Sequence, residues 1–270
     1  MPEPLRITSR QNPRVKQAAE LRTGRERQRR GRIIIDGARE IVRAFEAGIV
    51  AVEAFVCHAS ATSEESRRAI EMLDSQPAEV FDVSPEVFEK LAYGERSDGV
   101  IVVAETPRHS LADLKLPPEP LIAVLEGVEK PGNVGAILRS ADAAGVDAVI
   151  VADGGTDLYN PNTIRASLGT VFRSNVCQAT TAETIAWLRG KGIPIFAARP
   201  DAKRLYTDAD LVQGAAIVFG SEAHGLTEVW SDAEITPVRL PMHGIADSLN
   251  VSTTAAVLFY EALRQRGERR

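Results

Sequence analysis

Three short stretches of the sequence place glycine beside polar side chains in loops that follow predicted strands. They are residues 131–135 (Pro-Gly-Asn-Val-Gly), 220–225 (Gly-Ser-Glu-Ala-His-Gly) and 241–250 (Pro-Met-His through Ser-Leu-Asn). In parallel α/β proteins, the loops at the carboxyl ends of the strands meet and form the ligand site. We therefore expect the three stretches to build one site, with Gly220 allowing a close backbone approach to a ligand.

Several common sites are absent from the sequence. Residues 132–135 lack the third glycine of a dinucleotide fingerprint, and no Gly-Lys-Ser/Thr of a P-loop occurs. No Gly-x-Ser-x-Gly nucleophile elbow occurs either. The four histidines have no metal-ligand spacing, and Cys57 and Cys177 show no CxxC spacing, so we expect no metal site and two buried free thiols.

The polar residues of these stretches each admit two interpretations from the sequence. Arg139 lies about one helical turn past Gly135, where it fits a surface or dimer-interface salt bridge as well as a site cation. Glu222 fits a structural turn carboxylate or a site acid. Ser248 is predicted to N-cap the last helix, and Asn250 fits either a hydrogen bonder at the helix start or a site residue.

The elements that position these stretches alternate between strand and helix. Residues 1–105 are predicted as a compact α/β domain with a basic amino-terminal arm, in which residues 14–30 form one helix. The proline-rich stretch 106–120 is predicted as a linker. Residues 121–270 are predicted as a second domain in which the βαβαβ order indicates an open parallel sheet. Its strands are predicted at residues 121–125, 148–152, 175–178, 193–198 and 215–219.

Charge is distributed unevenly along the chain. Residues 1–32 hold ten Lys and Arg against three acids, a net charge of +7, which leaves −12 on the remainder. Residues 1–32 therefore form a basic arm. Such an arm indicates a polyanionic partner or, equally well, a solvated basic helix that binds no partner. No apolar run is long enough to span a membrane, and the first residues are too basic and polar for a signal peptide, so we expect a soluble cytoplasmic protein with no membrane partner.

The motifs together resemble those of SpoU-type RNA ribose methyltransferases, which belong to the SPOUT superfamily of knotted methyltransferases. The resemblance covers roughly residues 121–265 and is carried by Asn133-x-Gly135-x-x-x-Arg139, Phe219-Gly-Ser-Glu222-x-x-Gly225, and Pro241-Met242 with Ser248-Leu-Asn-Val-Ser252. The amino-terminal half is similar, less specifically, to the family's substrate-binding domain. The signals there are residues 9–16, 35–39 and 97–100, with Asp36 where relatives more often have Glu.

The resemblance implies S-adenosylmethionine as methyl donor and the 2′-hydroxyl of an RNA ribose as acceptor. It also implies a carboxy-terminal trefoil knot and a homodimer with active sites near the subunit interface. The catalytic residues it implies are Arg139, Asn133, Glu222, Ser248 and Asn250. The cofactor-binding residues are Ala197, Ala198, Phe219, Gly220, Gly225, Leu240, Met242, Ser248, Leu249 and Asn250. The RNA-binding residues are Arg14, Lys16, Arg22, Arg25, Arg29, Arg30 and Arg39.

The implied roles follow from the side chains. The guanidinium of Arg139 stays protonated, so we expect it to bind a phosphate and to stabilise oxyanion charge. Glu222 would orient Arg139 or accept the hydroxyl proton. The amino-terminal domain favours 23S rRNA as substrate, since the tRNA-directed relatives lack it. The alternatives are a tRNA 2′-O-methyltransferase, a catalytically silent RNA-binding assembly factor and a generic nucleotide-binding α/β enzyme.

Overall fold

The computed structural model describes residues 5–94 and 98–267, so that Ser97 of the 97–100 signal lies outside the described residues. The chain divides into two compact units. The first unit consists of Met1–Pro107 and Tyr159–Phe172, and the second consists of Arg108–Leu158 and Arg173–Arg270. Each unit contains its own sheet and its own apolar core.

The first unit is built on a mixed sheet. Its strands are β1 (Leu5–Ile7), β2 (Arg32–Asp36), β3 (Ala51–Val56), β4 (Glu79–Val83) and β5 (Val100–Glu105). Their order is β1-β4-β3-β5-β2, with β5 antiparallel to both of its neighbours. The apolar runs of β2 and β5 are almost wholly buried, which explains their length and their Val/Ile composition.

The α-helices in the part of the first unit that precedes residue 108 are α1 (Pro13–Glu20), α2 (Gly24–Arg30), α3 (Ala38–Glu46), α4 (Glu64–Leu73) and α5 (Pro85–Leu91). The prediction of one helix over residues 14–30 is wrong. The chain turns at residues 21–23, where Leu21 is buried and Thr23 precedes the start of α2. Threonine and the following Gly24 are weak helix formers, so the turn interrupts the helix at little cost.

The second unit is built on a sheet in which all pairings are parallel. Its strands are β6 (Leu121–Glu126), β7 (Ala148–Ala152), β8 (Val176–Ala179), β9 (Ile195–Ala198), β10 (Arg204–Leu205), β11 (Ala215–Phe219) and β12 (Ile235–Arg239). The order is β10-β12-β9-β11-β6-β7-β8. Every residue of β6, β7 and β11 is buried, as expected for a parallel sheet covered on both faces. The predicted α/β fold class is confirmed.

The remaining helices are α6 (Pro131–Ala144), α7 (Pro161–Ala166), α8 (Thr181–Gly190) and α9 (Val251–Gly267). The terminal helix α9 packs along α6, and Phe259 meets Phe219 of β11 edge to face at 5.6 Å between ring centroids. This packing brings the two helices that follow β6 and β12 together over the middle of the sheet.

Two stretches differ from the predicted domain boundaries. The predicted linker at 106–120 belongs to the second unit from Arg108 onward, because Leu114 is buried in that core and Leu111 and Leu116 pack against it. Tyr159–Phe172, predicted within the carboxy-terminal domain, belongs instead to the first unit.

Specific contacts hold this inserted segment in the first unit. The Nη1 atom of Arg165 donates to the carbonyl of Tyr93 at 2.6 Å, and Nη1 of Arg43 donates to the carbonyl of Leu168 at 2.5 Å. The chain therefore passes between the two units three times.

Both cysteines are buried free thiols, as predicted. Desolvation raises the pKa of Cys177 to about 12. Over residues 5–94 and 98–267, no helix is long and apolar enough to cross a membrane. The same residues contain no group of three or more His, Cys, Asp or Glu placed to hold a metal ion.

Candidate active site

The three glycine-containing stretches meet at one edge of the second sheet. Residues 131–135 open α6 after β6, residues 220–225 follow β11, and residues 241–250 connect β12 to α9. All pairings of this sheet are parallel, so the carboxyl ends of its strands lie at the same edge. The convergence predicted from the sequence is therefore present.

A cleft of about 400 Å³ lies at this edge. Of the predicted cofactor residues, those that line it are Ala198, Phe219, Gly220, Gly225, Leu240, Met242, Ser248, Leu249 and Asn250. Ala197 is not in the lining. It is fully buried within the apolar core of the second unit, since successive side chains of a strand point to opposite faces.

The turn at 220–225 is closed by its own backbone. Ser221 N–H donates to the carbonyl of Gly225 at 3.1 Å, and Gly225 N–H donates back to the carbonyl of Ser221 at 2.9 Å. A Cβ on Gly220 would lie 2.3 Å from the carbonyl carbon of Gly225. Gly220 is thus required by the turn itself, in addition to bordering the cleft. Gly225 has φ +67°, a conformation that favours glycine.

Glu222 is the point at which the three stretches are joined. Its Oε1 accepts hydrogen bonds from the side-chain amides of Asn133 and of Asn250, the latter at 3.3 Å. Its Oε2 pairs with Nζ of Lys130 at 3.0 Å. Asn250 also donates to Oδ1 of Asn133 at 3.3 Å. The glutamate is therefore held by one residue before α6, one within α6 and one before α9.

Asn250 combines the two roles that the sequence left open. Its Oδ1 accepts from the backbone N–H of Ser252 at 2.9 Å at the start of α9, while its amide nitrogen donates to Glu222. The prediction that Ser248 caps this helix is wrong, because α9 begins at Val251 and Ser248 lies in the exposed loop that lines the cleft.

Arg139 is exposed on α6 and makes no hydrogen bond or ion pair with any described residue. The partners that fix Glu222 are Lys130, Asn133 and Asn250, so Arg139 does not take part in this arrangement within one chain. An exposed guanidinium without a partner remains available to a phosphate or to a second molecule.

Three cations of the cleft were not predicted from the sequence. Lys130, Arg199 and Arg239 line it. Arg199 donates to Oγ of Ser231 at 2.6 Å. One sequence feature could have identified Lys130 as a site residue. It directly precedes the proline that opens α6, the helix that carries the first motif.

The predicted RNA-binding cations of the first unit fall into two groups. Four of them have partners within the chain. Arg14 pairs with Glu53 and Glu79, Arg22 donates to the carbonyls of Lys90 and Ala92, Arg29 pairs with Glu26, and Arg30 pairs with Glu20 and Glu26. By contrast, Lys16, Arg25 and Arg39 are exposed, and their side chains make no ion pair or hydrogen bond with the described part of the chain.

Comparison with known proteins agrees with this geometry. The profile of the SpoU rRNA Methylase family matches residues 120–260, and that of the MRM3-like substrate binding domain matches residues 12–102. The chain is 32% identical over 275 residues to a 23S rRNA (uridine(2479)-2′-O)-methyltransferase from Streptomyces viridochromogenes, covering 98% of this chain and 94% of the relative.

Two solved structures show the same architecture over nearly the whole chain. An RNA 2′-O ribose methyltransferase is 44% identical with a TM-score of 0.83, covering 97% of this chain and 99% of the other. The SpoU methyltransferase AviRb from Streptomyces viridochromogenes, solved with the cofactor AdoMet, is 29% identical with a TM-score of 0.85, covering 94% and 98%. With its three motifs joined at one cleft, the chain belongs to the SpoU rRNA methylase family.

Proposed function

We propose that this protein transfers a methyl group from S-adenosylmethionine to the 2′-hydroxyl of a ribose in 23S ribosomal RNA. The observation that carries the proposal is the attachment of Asn133 and Asn250 to Glu222 beside a cleft at the carboxyl edge of the parallel sheet. The similarity to an rRNA 2′-O-methyltransferase over both units supports the same reaction.

The cleft fits S-adenosylmethionine in size and chemistry. Its volume of about 400 Å³ lies within the range of sites for ligands of this size. Phe219, Leu240 and Met242 give apolar walls for a purine, and the backbone at Gly220 offers polar atoms beside them. The bound donor supplies an electrophilic methyl group on a sulfonium.

Glu222 is the side chain best placed to act on the acceptor hydroxyl. A neutral ribose hydroxyl is a poor nucleophile, so a group near the cleft has to orient it or accept its proton. Oε1 already accepts two amide hydrogen bonds, whereas Oε2 has Lys130 as its partner and keeps acceptor capacity. We therefore assign proton acceptance to Oε2 of Glu222, with Asn133 and Asn250 holding the carboxylate in place. Ser248 borders the same cleft and contributes a hydroxyl to its polar wall.

Arg139 completes the site from a second copy of the chain. Its exposed guanidinium lies on α6, and the adjoining helix α9 exposes Tyr260 and Leu263 with 52% and 42% of their surface accessible. Such a surface supports a homodimer in which Arg139 reaches the partner's cleft. There it binds the phosphate beside the target ribose and stabilises developing oxyanion charge.

Mixed dimers test this arrangement directly. Arg139→Ala and Glu222→Gln chains are each inactive in isolation, but together they form one intact site if the two residues come from different subunits. Refolding an equal mixture is then expected to restore about one quarter of wild-type activity. If the mixture stays as inactive as its components, both residues act within one subunit.

The carboxy-terminal trefoil knot remains part of the proposal. It is supported by the path of α9, which leaves β12 near one end of the sheet and returns to pack on α6 and β11.

The ribosomal substrate is supported by the first unit, whose sequence matches a substrate-binding domain. Exposed Lys16, Arg25 and Arg39 provide phosphate contacts on that unit. A ribosomal RNA substrate also implies action in the cytoplasm.

The deciding experiment offers labelled S-adenosylmethionine with unmodified 23S rRNA and with bulk tRNA in parallel. Label at a single 2′-O-methyl nucleotide of the rRNA is expected. Label in tRNA alone would support the proposed methyl transfer but contradict the proposed ribosomal RNA substrate. Donor binding without label in either RNA would favour an RNA-binding assembly factor, whereas binding of ATP or NAD in place of the donor would contradict the proposal altogether.

A further inference from the structure

A buried carboxylate lies directly behind the 220–225 turn. Glu126 is the last residue of β6, and only 4% of its surface is accessible. Glutamate is almost never buried to this extent unless its oxygens are satisfied, because desolvating a carboxylate is costly. The function proposed above gives Glu126 no task.

The donors that satisfy Glu126 come from two distant parts of the chain. Thr227 contributes two: its backbone N–H donates to Oε2 at 2.8 Å and its Oγ1 to Oε1 at 2.7 Å. Thr181, at the start of α8, donates from Oγ1 to Oε1 at 3.2 Å. Because both carboxylate oxygens receive a bond from Thr227, that residue is fixed in orientation as well as in distance.

Thr227 lies two residues beyond Gly225, the last residue of the turn that carries Glu222. The beginning of the same turn is fixed by β11, in which Phe219 pairs with Leu125 of β6. The last two residues of β6 therefore hold both ends of the turn, Leu125 through the sheet and Glu126 through Thr227. Leu226 packs against the core between these points, but apolar packing does not set direction as a paired hydrogen bond does.

We propose that Glu126 is a positioning residue for methyl transfer. By holding Thr227, its carboxylate fixes the 220–225 turn, so that the wall formed by Gly220 meets the methyl donor in one geometry. This inference rests on the proposed function, since it concerns how the same cleft is shaped.

The test uses substitutions on the two sides of the one carboxylate. Thr227→Val removes the hydroxyl donor on the turn side while keeping side-chain size, and Thr181→Val removes the donor on the α8 side. Loss of a hydrogen bond to a charged group predicts that Thr227→Val weakens S-adenosylmethionine binding by about tenfold in calorimetry. Thr181→Val is expected to bind the donor as tightly as the wild type, and Thr227→Ser to restore the binding.

Kinetics separate positioning from a general loss of stability. With Thr227→Val we expect the KM for the donor to rise far more than kcat falls, whereas thermal melting shows comparable small losses for both valine variants. Glu126→Leu provides a second route, because it leaves both Thr227 donors without their acceptor, and it is expected to weaken donor binding more than Thr227→Val.

Three results would overturn the inference: equal donor affinity in Thr227→Val and wild type, equal weakening in Thr181→Val and Thr227→Val, or a Thr227→Ser variant as defective as the valine. A wild-type protein that binds no S-adenosylmethionine would contradict the proposed function itself, and so the two failures remain distinguishable.

Discussion

The carboxyl edge of the second sheet and the basic arm of the first unit are both rich in polar side chains, but they use them in opposite ways. At the sheet edge, Asn133, Glu222 and Asn250 bind one another and leave a cleft open beside them. In the arm, Arg10 and Arg14 are neutralised by carboxylates that lie outside residues 1–32, namely Glu89, Glu53 and Glu79. A net charge of +7 over residues 1–32 therefore overstates the charge that the arm offers to a partner.

The difference shows which sequence signals are reliable. A motif identifies residues that lie together in one site. Their spacing relative to the ends of the predicted strands already indicates that this site lies at the carboxyl edge of the sheet. A count of charges does not report which of them are paired, because the acids that pair with them lie far along the chain, as Glu53 and Glu79 do for Arg14.

The largest expected effect is that of Arg139→Ala at the sheet edge. The role proposed for Arg139, stabilising transition-state charge, predicts that its removal lowers kcat by roughly 100- to 1000-fold while donor binding is unchanged. Methyl transfer and calorimetry measure the two quantities. Arg173→Ala is the matched control, since Arg173 is also an arginine of the second unit but is already paired with Asp142 of α6. Similar losses in both variants would remove the special role of Arg139.

Gly220→Ala is expected to act on donor affinity. A methyl group at this position would come within 2.3 Å of the Gly225 backbone, which has no room to yield without opening the turn. Donor affinity should fall by about tenfold or more. Gly132→Ala in α6, where an added Cβ meets nothing within 4 Å, is the control and should bind the donor normally. A normal affinity for Gly220→Ala would show that the turn does not shape the cleft.

The free cations of the first unit are expected to have smaller effects, seen mainly through salt. Replacing Lys16 and Arg25 together by Gln should weaken RNA binding several-fold and reduce the slope of log affinity against log salt by about 1.4, near 0.7 for each lost phosphate contact with single-stranded RNA. Filter binding across a salt series measures the slope. An unchanged slope would mean that these side chains do not contact phosphate.

The smallest effect on RNA is expected for Arg14→Gln. Arg14 pairs with Glu53 and Glu79 and stacks over Phe81 at 5.0 Å from the ring centroid. The substitution should lower the free energy of unfolding by about 1 kcal/mol and leave the salt slope unaltered. A slope reduced as much as in the Lys16 and Arg25 variant would erase the distinction between paired and free cations.

Local sequence patterns were sufficient for the α/β order, and the resemblance to a known family was sufficient for the meeting of Asn133, Glu222 and Asn250. They were insufficient where the partner lies far away in sequence. Glu126 after a strand resembles an ordinary turn acid, and its donor Thr227 is 101 residues further on. Lys130 had only its position before the first proline of α6 as a signal, and its pairing with Glu222 at another strand end is seen only in the structure. The interruption of the predicted first helix likewise depends on the burial of Leu21.

The inserted segment Tyr159–Phe172 determines where the chain can be divided into fragments and where it can be joined to the sequence of a relative. A fragment beginning at Arg108 would carry Ile164 and Phe172, both buried in the whole protein, without the unit that covers them. Replacing the substrate-binding unit by that of a relative therefore requires three junctions instead of one. The first unit, whose sequence matches a substrate-binding domain, is a discontinuous module, and an exchange of that unit has to include residues 1–107 and 159–172 together.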